Sequence, residues 1–193
     1  MANIMLIDNI DSFTYNFVEQ LRIFKHHVCV YRNNIPTGFL IHNIKNSNIQ
    51  VLIISAGPGL PKDAGCIIEL IRISCGHIPI IGICLGHQAI IEFYGGKVCQ
   101  SGEILHGKTS LIEHDNKAMF KNIGNPMLVA RYHSLIGNDI PISLTVNAKY
   151  RNMVMAVRHN IDRICGFQFH PESILTPEGS LLIKQTINWV LEK

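Results

Sequence analysis

Four short apolar runs, at 4–8, 28–31, 51–55 and 80–83, each followed by residues at helical spacing, constrain this chain more than any other feature. Runs of four or five apolar residues are too short for buried helices, and their lack of alternation marks strands covered on both faces. The intervening segments read as helices. Ser12 is placed to cap one that extends to residue 24, with Phe13, Phe17, Gln20, Leu21 and Phe24 on one face. Others cover 39–45 after Pro36, 66–73, and 85–94, the last closing on Gly95-Gly96. Strands alternating with helices predict an α/β fold, an open and mostly parallel sheet with helices on both faces.

After Gly96 the rhythm changes to closely spaced strands at 108–113, 127–132, 143–150, 154–159 and 165–169, additional antiparallel elements in the second half. Leu144, Val146 and Ala148 alternate with Thr145, Asn147 and Lys149, giving a dry and a wet face. Cys165, Phe167 and Phe169 likewise alternate with Gly166, Gln168 and His170, so His170 is expected on the polar side of a strand end. A final helix is expected with Thr176 as N-cap, Pro177 at its first position, and Leu182, Thr186, Trp189 and Val190 facing inward. Nothing in the composition suggests a linker or repeat, and residues 1–193 read as a single domain.

An apolar fraction of 47% with 16% charged residues suits a globule able to bury about 70% of its extended surface. A net charge of +3, with no basic run interleaved with aromatics, argues against a nucleic-acid groove. No apolar stretch approaches the roughly 20 residues that cross a bilayer, and the opening residues, soon joined by Asp8 and Asp11, do not read as a signal peptide. Six cysteines without a C-x-x-C pair fit reduced thiols, and a cytoplasmic location is expected. Ten scattered histidines offer no zinc spacing, so no metal is expected.

Three strand ends carry sequence beyond what folding alone needs: Asp8-Asn9-Ile10-Asp11-Ser12, Ser55-Ala56-Gly57-Pro58-Gly59, and Gly82-Ile83-Cys84-Leu85-Gly86. Open parallel sheets bind ligands at this edge. The last of these matches the strained strand-to-helix turn, G-x-nucleophile-x-G, that presents a nucleophile above a sheet. Its natural complement lies downstream in His170-Pro171-Glu172, an imidazole to take and return a proton and a carboxylate to orient it. His87 sits too near the elbow to act as that base, and Glu178 fits a helix-dipole partner better than a catalytic acid. Arg131-Tyr132-His133-Ser134-Leu135 gathers polar groups suited to a small substrate or a neighbouring subunit. Residues 102–109 satisfy G-x-x-x-x-G-K-T, but Leu111-Ile112 reads as strand where a phosphate cradle needs a helix, so nucleotide hydrolysis is not expected.

Together the opening motif, Gly57-Pro58-Gly59, Gly82-Ile83-Cys84-Leu85-Gly86-His87-Gln88, Arg131-Tyr132-His133-Ser134-Leu135 and Gly166-Phe167-Gln168-Phe169-His170-Pro171-Glu172-Ser173 closely resemble the class I glutamine amidotransferases. Within them the chain is most similar to the glutaminase subunits of anthranilate synthase. The resemblance implies a flavodoxin-like sheet and a triad of Cys84, His170 and Glu172. It also implies an oxyanion hole from the backbone of Gly59 and Leu85, and glutamine held by Gly57, Pro58, Gly59, Gln88, Ser134 and Leu135. It implies a partner, the chorismate-binding component I of anthranilate synthase, and no cofactor in this subunit, with Mg2+ expected in the partner. The glutaminase subunit of aminodeoxychorismate synthase, or one subunit serving both pathways, is the alternative, and the stretch 102–108 looks more like the tryptophan branch. The family loop usually reads Ser-Pro-Gly-Pro-Gly, whereas Ala56 stands here at the first proline; a softer loop is expected, with the backbone donor at Gly59 kept.

Overall fold

A computed structural model of the chain, describing residues 1–102 and 107–192, contains the alternating strands and helices of the first half in order. They are β1 (Asn3–Asp8), α1 (Thr14–Ile23), β2 (His27–Arg32), α2 (Thr37–Asn46), β3 (Val51–Ile54), α3 (Ile67–Ser74), β4 (Ile80–Ile83) and α4 (Leu85–Phe93). The second half adds β5 (Lys97–Gln100), β6 (Lys108–His114), β7 (Met127–Arg131), β8 (Leu135–Asn138), β9 (Thr145–Tyr150), β10 (Met153–His159), β11 (Ile164–Phe167) and α5 (Gly179–Leu191). Nine strands form one sheet in the order β2-β1-β3-β4-β11-β10-β9-β6-β7. The pairs from β2 to β11 are parallel and those from β11 to β7 antiparallel. The mostly parallel half and the antiparallel extension are both as the sequence predicts.

Alternate residues of β1 show why the apolar runs are continuous. Ile4 and Leu6 pack with Phe17, Val18 and Leu21 of α1 and Leu182 and Ile187 of α5. Met5 and Ile7 pack on the other face with Leu40, Leu70, Ile71 and Ile90 of α2, α3 and α4. Each strand residue therefore leaves water whichever way it points, at about 1.5–3 kcal/mol for each large aliphatic side chain. No helix among the described residues is long and apolar enough to cross a membrane.

Several local expectations are corrected. Ser12 does not cap α1, which begins at Thr14; Asp8 and Asp11 tie the turn instead, Asp8 Oδ1 accepting from the amides of Ile10 and Asp11 and from Thr14 Oγ1, and Asp11 Oδ2 from the Phe13 amide. Thr176 is not the cap of α5, which follows Glu178. Its hydroxyl donates to the His170 carbonyl at 2.8 Å and accepts the Ala130 amide at 3.0 Å, pinning the segment after β11 to β7. Asn147 is buried on the expected wet face, donating to Met119 Sδ, because the β9–β10 pairing shifts register between Val154 and Val157. Gln168 and His170 are also buried, since the antiparallel strands and the loop at 132–135 cover what would otherwise be an open face.

The ribbon of β5 and β8 has no counterpart in the sequence reading; its strands are four residues long, β5 mostly exposed and β8 mostly half-buried, which leaves little hydrophobic pattern. Lys108 and Thr109 open β6, so strand and not helix follows that glycine, as expected; residues 103–106 of the G-x-x-x-x-G-K-T match and of the stretch 102–108 lie outside the described residues. All six cysteines are free, and Cys29 and Cys99 are exposed.

Candidate active site

Cys84 occupies the single residue between β4 and α4, with φ 48° and ψ −95°. A non-glycine side chain in this region carries strain of about 1–3 kcal/mol, held by the surrounding structure. Here the restraint is visible: the Cys84 amide donates to the Phe167 carbonyl at 2.7 Å, and its own carbonyl accepts the first helical bond, from the Gln88 amide. Both flanking glycines are obligatory. A Cβ on Gly82 would lie 2.4 Å from the Gly86 carbonyl carbon, and one on Gly86 would lie 2.4 Å from the Ile54 carbonyl oxygen.

His170 reaches the elbow from the segment after β11, bridged to Ala130 of β7. Its Nδ1 lies 2.6 Å from Glu172 Oε1, with both side chains buried. The rings of Phe13 and Tyr132 pack edge-on against the imidazole, at 6.0 and 5.0 Å. Burial alone would lower the imidazole pKa, but hydrogen bonding to Cys84 and Glu172, reinforced by their charge, holds it well above the usual histidine value. With Nδ1 committed to Glu172, the other ring nitrogen serves the thiol. The three predicted residues thus meet in one place. His87 is fully buried behind the elbow against Gly166, and burial drives its pKa down to about 3, so it packs, as expected, and stays neutral. Glu178 precedes α5 and accepts the Gly124 amide.

In front of Cys84 lies a cavity of about 280 Å³, lined by Gly57, Pro58, Gly59, Gln88, Ser134 and Leu135 together with Tyr132 and His133. That size is near the lower end for small-molecule sites. The wall at 57–59 is fixed by the opening motif: the Asn9 amide donates to Ser55 Oγ and its side chain to the Ser55 carbonyl, while a Cβ on Gly57 would lie 2.5 Å from Asn9 Cβ. Ala56 is buried in the apolar core beside it. Gly59 has φ 80° and open space above it, and Leu85 begins α4, where helical amides have no intrahelical acceptor. The opposite wall is carried by the unforeseen ribbon, in which Leu135 pairs with Gln100 and the Ser134 carbonyl accepts the Ser101 amide.

Three contributors are not evident in the sequence. Phe13 reads there as part of a helix face, Thr176 as a cap, and Gln168 as a wet strand residue; only their nearness to His170 in sequence, for Thr176 and Gln168, is a usable signal. A thiol, a base oriented by a carboxylate, and backbone amides beside a small polar cavity can attack a carbonyl carbon, stabilise the oxyanion and protonate a leaving amine.

Comparison with known proteins agrees with this chemistry. The sequence model of the family "Glutamine amidotransferase class-I" matches residues 5–189. A relative from Haemophilus influenzae named anthranilate synthase component 2 is 53% identical over 193 residues, covering the whole of both chains. Another of that name, from Buchnera aphidicola, is 54% identical over 98% of this chain and 94% of its own. Among solved structures, a glutamine amidotransferase from Thermotoga maritima has a TM-score of 0.77 at 14% identity, covering 100% of this chain and 99% of its own, which places the fold.

Proposed function

Because the chain belongs to the class I glutamine amidotransferase family, we propose that it is the glutamine-hydrolysing subunit of an anthranilate synthase, with Cys84, His170 and Glu172 as its triad. The observation that carries this reading is the juxtaposition of a strained, glycine-locked thiol with a carboxylate-oriented imidazole at the mouth of an amino-acid-sized cavity.

Cys84 attacks the side-chain amide carbon of glutamine while His170 holds the thiol proton. The oxyanion settles against the amides of Gly59 and Leu85. His170 then protonates the departing nitrogen, releasing ammonia and leaving a γ-glutamyl thioester. Water, deprotonated by His170, cleaves the thioester to glutamate and restores the thiol. Gly57, Pro58, Gly59, Gln88, Ser134 and Leu135 hold the substrate. None of these steps calls on a cofactor, and Mg2+ is assigned to the partner. Ammonia is useful only if it reaches an acceptor before bulk water protonates it, so the subunit docks on the chorismate-binding component I, in the cytoplasm, and docking organises the glutaminase site.

Reconstitution with component I tests the assignment. Anthranilate forms from chorismate and glutamine with the native chain; with Cys84→Ala it forms from added ammonia but not from glutamine. Glutamine-dependent product with an aminodeoxychorismate synthase partner and none with component I would overturn the pathway assignment, and equal glutaminase rates with and without component I would overturn activation by docking.

A further inference from the structure

Two arms of hydrogen bonds converge on the Leu135 carbonyl, and one of them continues to the sulfur of Cys84. The first arm starts at Arg131, whose guanidinium can only donate: Nε donates to His133 Nε2 at 3.2 Å. That fixes the tautomer of His133, whose Nδ1 carries the proton and donates to the Leu135 carbonyl at 3.0 Å. The same carbonyl accepts from Gln88 Nε2 at 3.1 Å, and the second proton of that nitrogen goes to Gln168 Oε1, also at 3.1 Å. Gln168 Oε1 is therefore an acceptor, and its Nε2 is the end turned toward Cys84 Sγ, at 3.5 Å. Gln168 is fully buried, and its carboxamide faces the sulfur in only this orientation without setting two donors or two acceptors against each other.

We propose that Gln168 is a further catalytic residue: its side-chain N–H donates to the sulfur of Cys84, aims it at the cavity, and favours the thiolate over the thiol. This rests on Cys84 being the nucleophile. A neutral donor differs in kind from the imidazole on the other side. His170 accepts the thiol proton, whereas Gln168 exchanges no proton and stabilises the charge that remains. The titratable and charged groups around the thiol are His170 with Glu172 and Asp11 behind it, His133 with Arg131 across the cavity, and His87 beneath the elbow. Gln168 adds to these without a titration of its own.

The test compares Gln168→Met, which keeps length but lacks the donor, and Gln168→Glu, which turns an oxygen to the sulfur, in the complex with component I. The rate of Cys84 alkylation by iodoacetamide is followed from pH 5 to 10 by the mass of the peptide that carries Cys84, because the exposed Cys29 and Cys99 are labelled as well, alongside glutaminase kcat and KM and the melting temperature. The midpoint should rise by about one pH unit in the methionine variant and further in the glutamate variant, with kcat down roughly tenfold at neutral pH and KM within about twofold. A folded methionine variant with the native alkylation midpoint and kcat overturns the proposal. Should both variants fold poorly, the native chain labelled with 15N decides: the Gln168 side-chain amide proton should follow the thiol ionisation and lose that step in Cys84→Ser, and a resonance blind to it overturns the proposal. Glutamine turnover surviving Cys84→Ala would instead defeat the assignment of the nucleophile.

Discussion

Replacing Gly82 by alanine puts a methyl group 2.4 Å from the Gly86 carbonyl carbon, 2.5 Å from its oxygen and 2.7 Å from the His87 nitrogen. All three are backbone atoms of the first turn of α4, so no side chain can rotate away. Ordinary contact begins near 3.4 Å, and the start of the helix must therefore lift from β4 by about 1 Å. Overpacking of this kind costs about 1–3 kcal/mol, and an immovable obstacle points to the upper part, about 2–3 kcal/mol. At roughly 2–4 °C per kcal/mol for a chain of this size, the melting temperature should drop by about 4–12 °C. The catalytic cost should exceed the thermal one. Cys84 rides on the displaced turn, and a misplacement of about 1 Å costs on the order of 10²-fold in rate. Calorimetry and glutaminase kcat in the complex with component I measure both. Gly38, with open space around it at the exposed start of α2, supplies the control: alanine there should be neutral or stabilising, by up to about 1 kcal/mol. Native melting temperature and native kcat in Gly82→Ala would refute the claim that close backbone approach at the elbow sets the position of the thiol.

Glu172→Gln should lower kcat by about 10²–10⁴-fold and move the imidazole pKa down toward its ordinary value, read from the pH profile of kcat/KM and from imidazole resonances. Thr176→Val leaves the buried Ala130 amide without its acceptor and removes the restraint on the His170 carbonyl, costing about 1–3 kcal/mol in urea unfolding together with part of kcat. His87 and His133 are held neutral, their pKa values lowered to about 3 and about 4, so the unfolded chain takes up protons that the folded chain refuses as pH falls below about 6.5; urea midpoints should drop from pH 6.5 to 5, and His133→Gln should shallow that slope by up to one proton. His170 acts in the other window, its stabilising contribution whole below about 6.5 and lost as pH rises through its elevated folded value, so the two sets together place maximal stability near neutrality.

The sheet core and the meeting of Cys84 with His170 and Glu172 were legible in the sequence because each part leaves a short motif. Two-sided burial leaves unbroken apolar runs, as in Val51–Ile54 and Ile80–Ile83, and the elbow leaves two glycines at fixed distance from a cysteine. Cap assignments failed where a side chain had a better partner far away. Thr176 had the composition of an N-cap, but its hydroxyl serves Ala130, 46 residues distant, and Ser12 was passed over because Asp8 and Asp11 already satisfy the amides of that turn. The ribbon of β5 and β8 was invisible because two four-residue strands whose one buried position is Gly137 leave no apolar pattern to read.

Period-two alternation misled at Asn147 because the β9–β10 pairing shifts register there, and at Gln168 and His170 because it assigns a residue to a face and says nothing of what covers that face. On the sheet's carboxyl edge the cover is itself polar, the loop at 132–135 with Arg131 buried beneath it. A buried polar layer is tolerable only if its donors and acceptors match, and the Leu135 carbonyl, which can only accept, sets the direction of the bonds from Gln88 and Gln168. Gln168, which reads as the wet side of a strand, is instead held out of water in a network whose polarity is fixed by the Leu135 carbonyl and expressed on the sulfur of Cys84. Any substitution that reverses one amide along that path, Gln88→Glu included, should be felt at the thiol even though the sheet beneath it is unchanged.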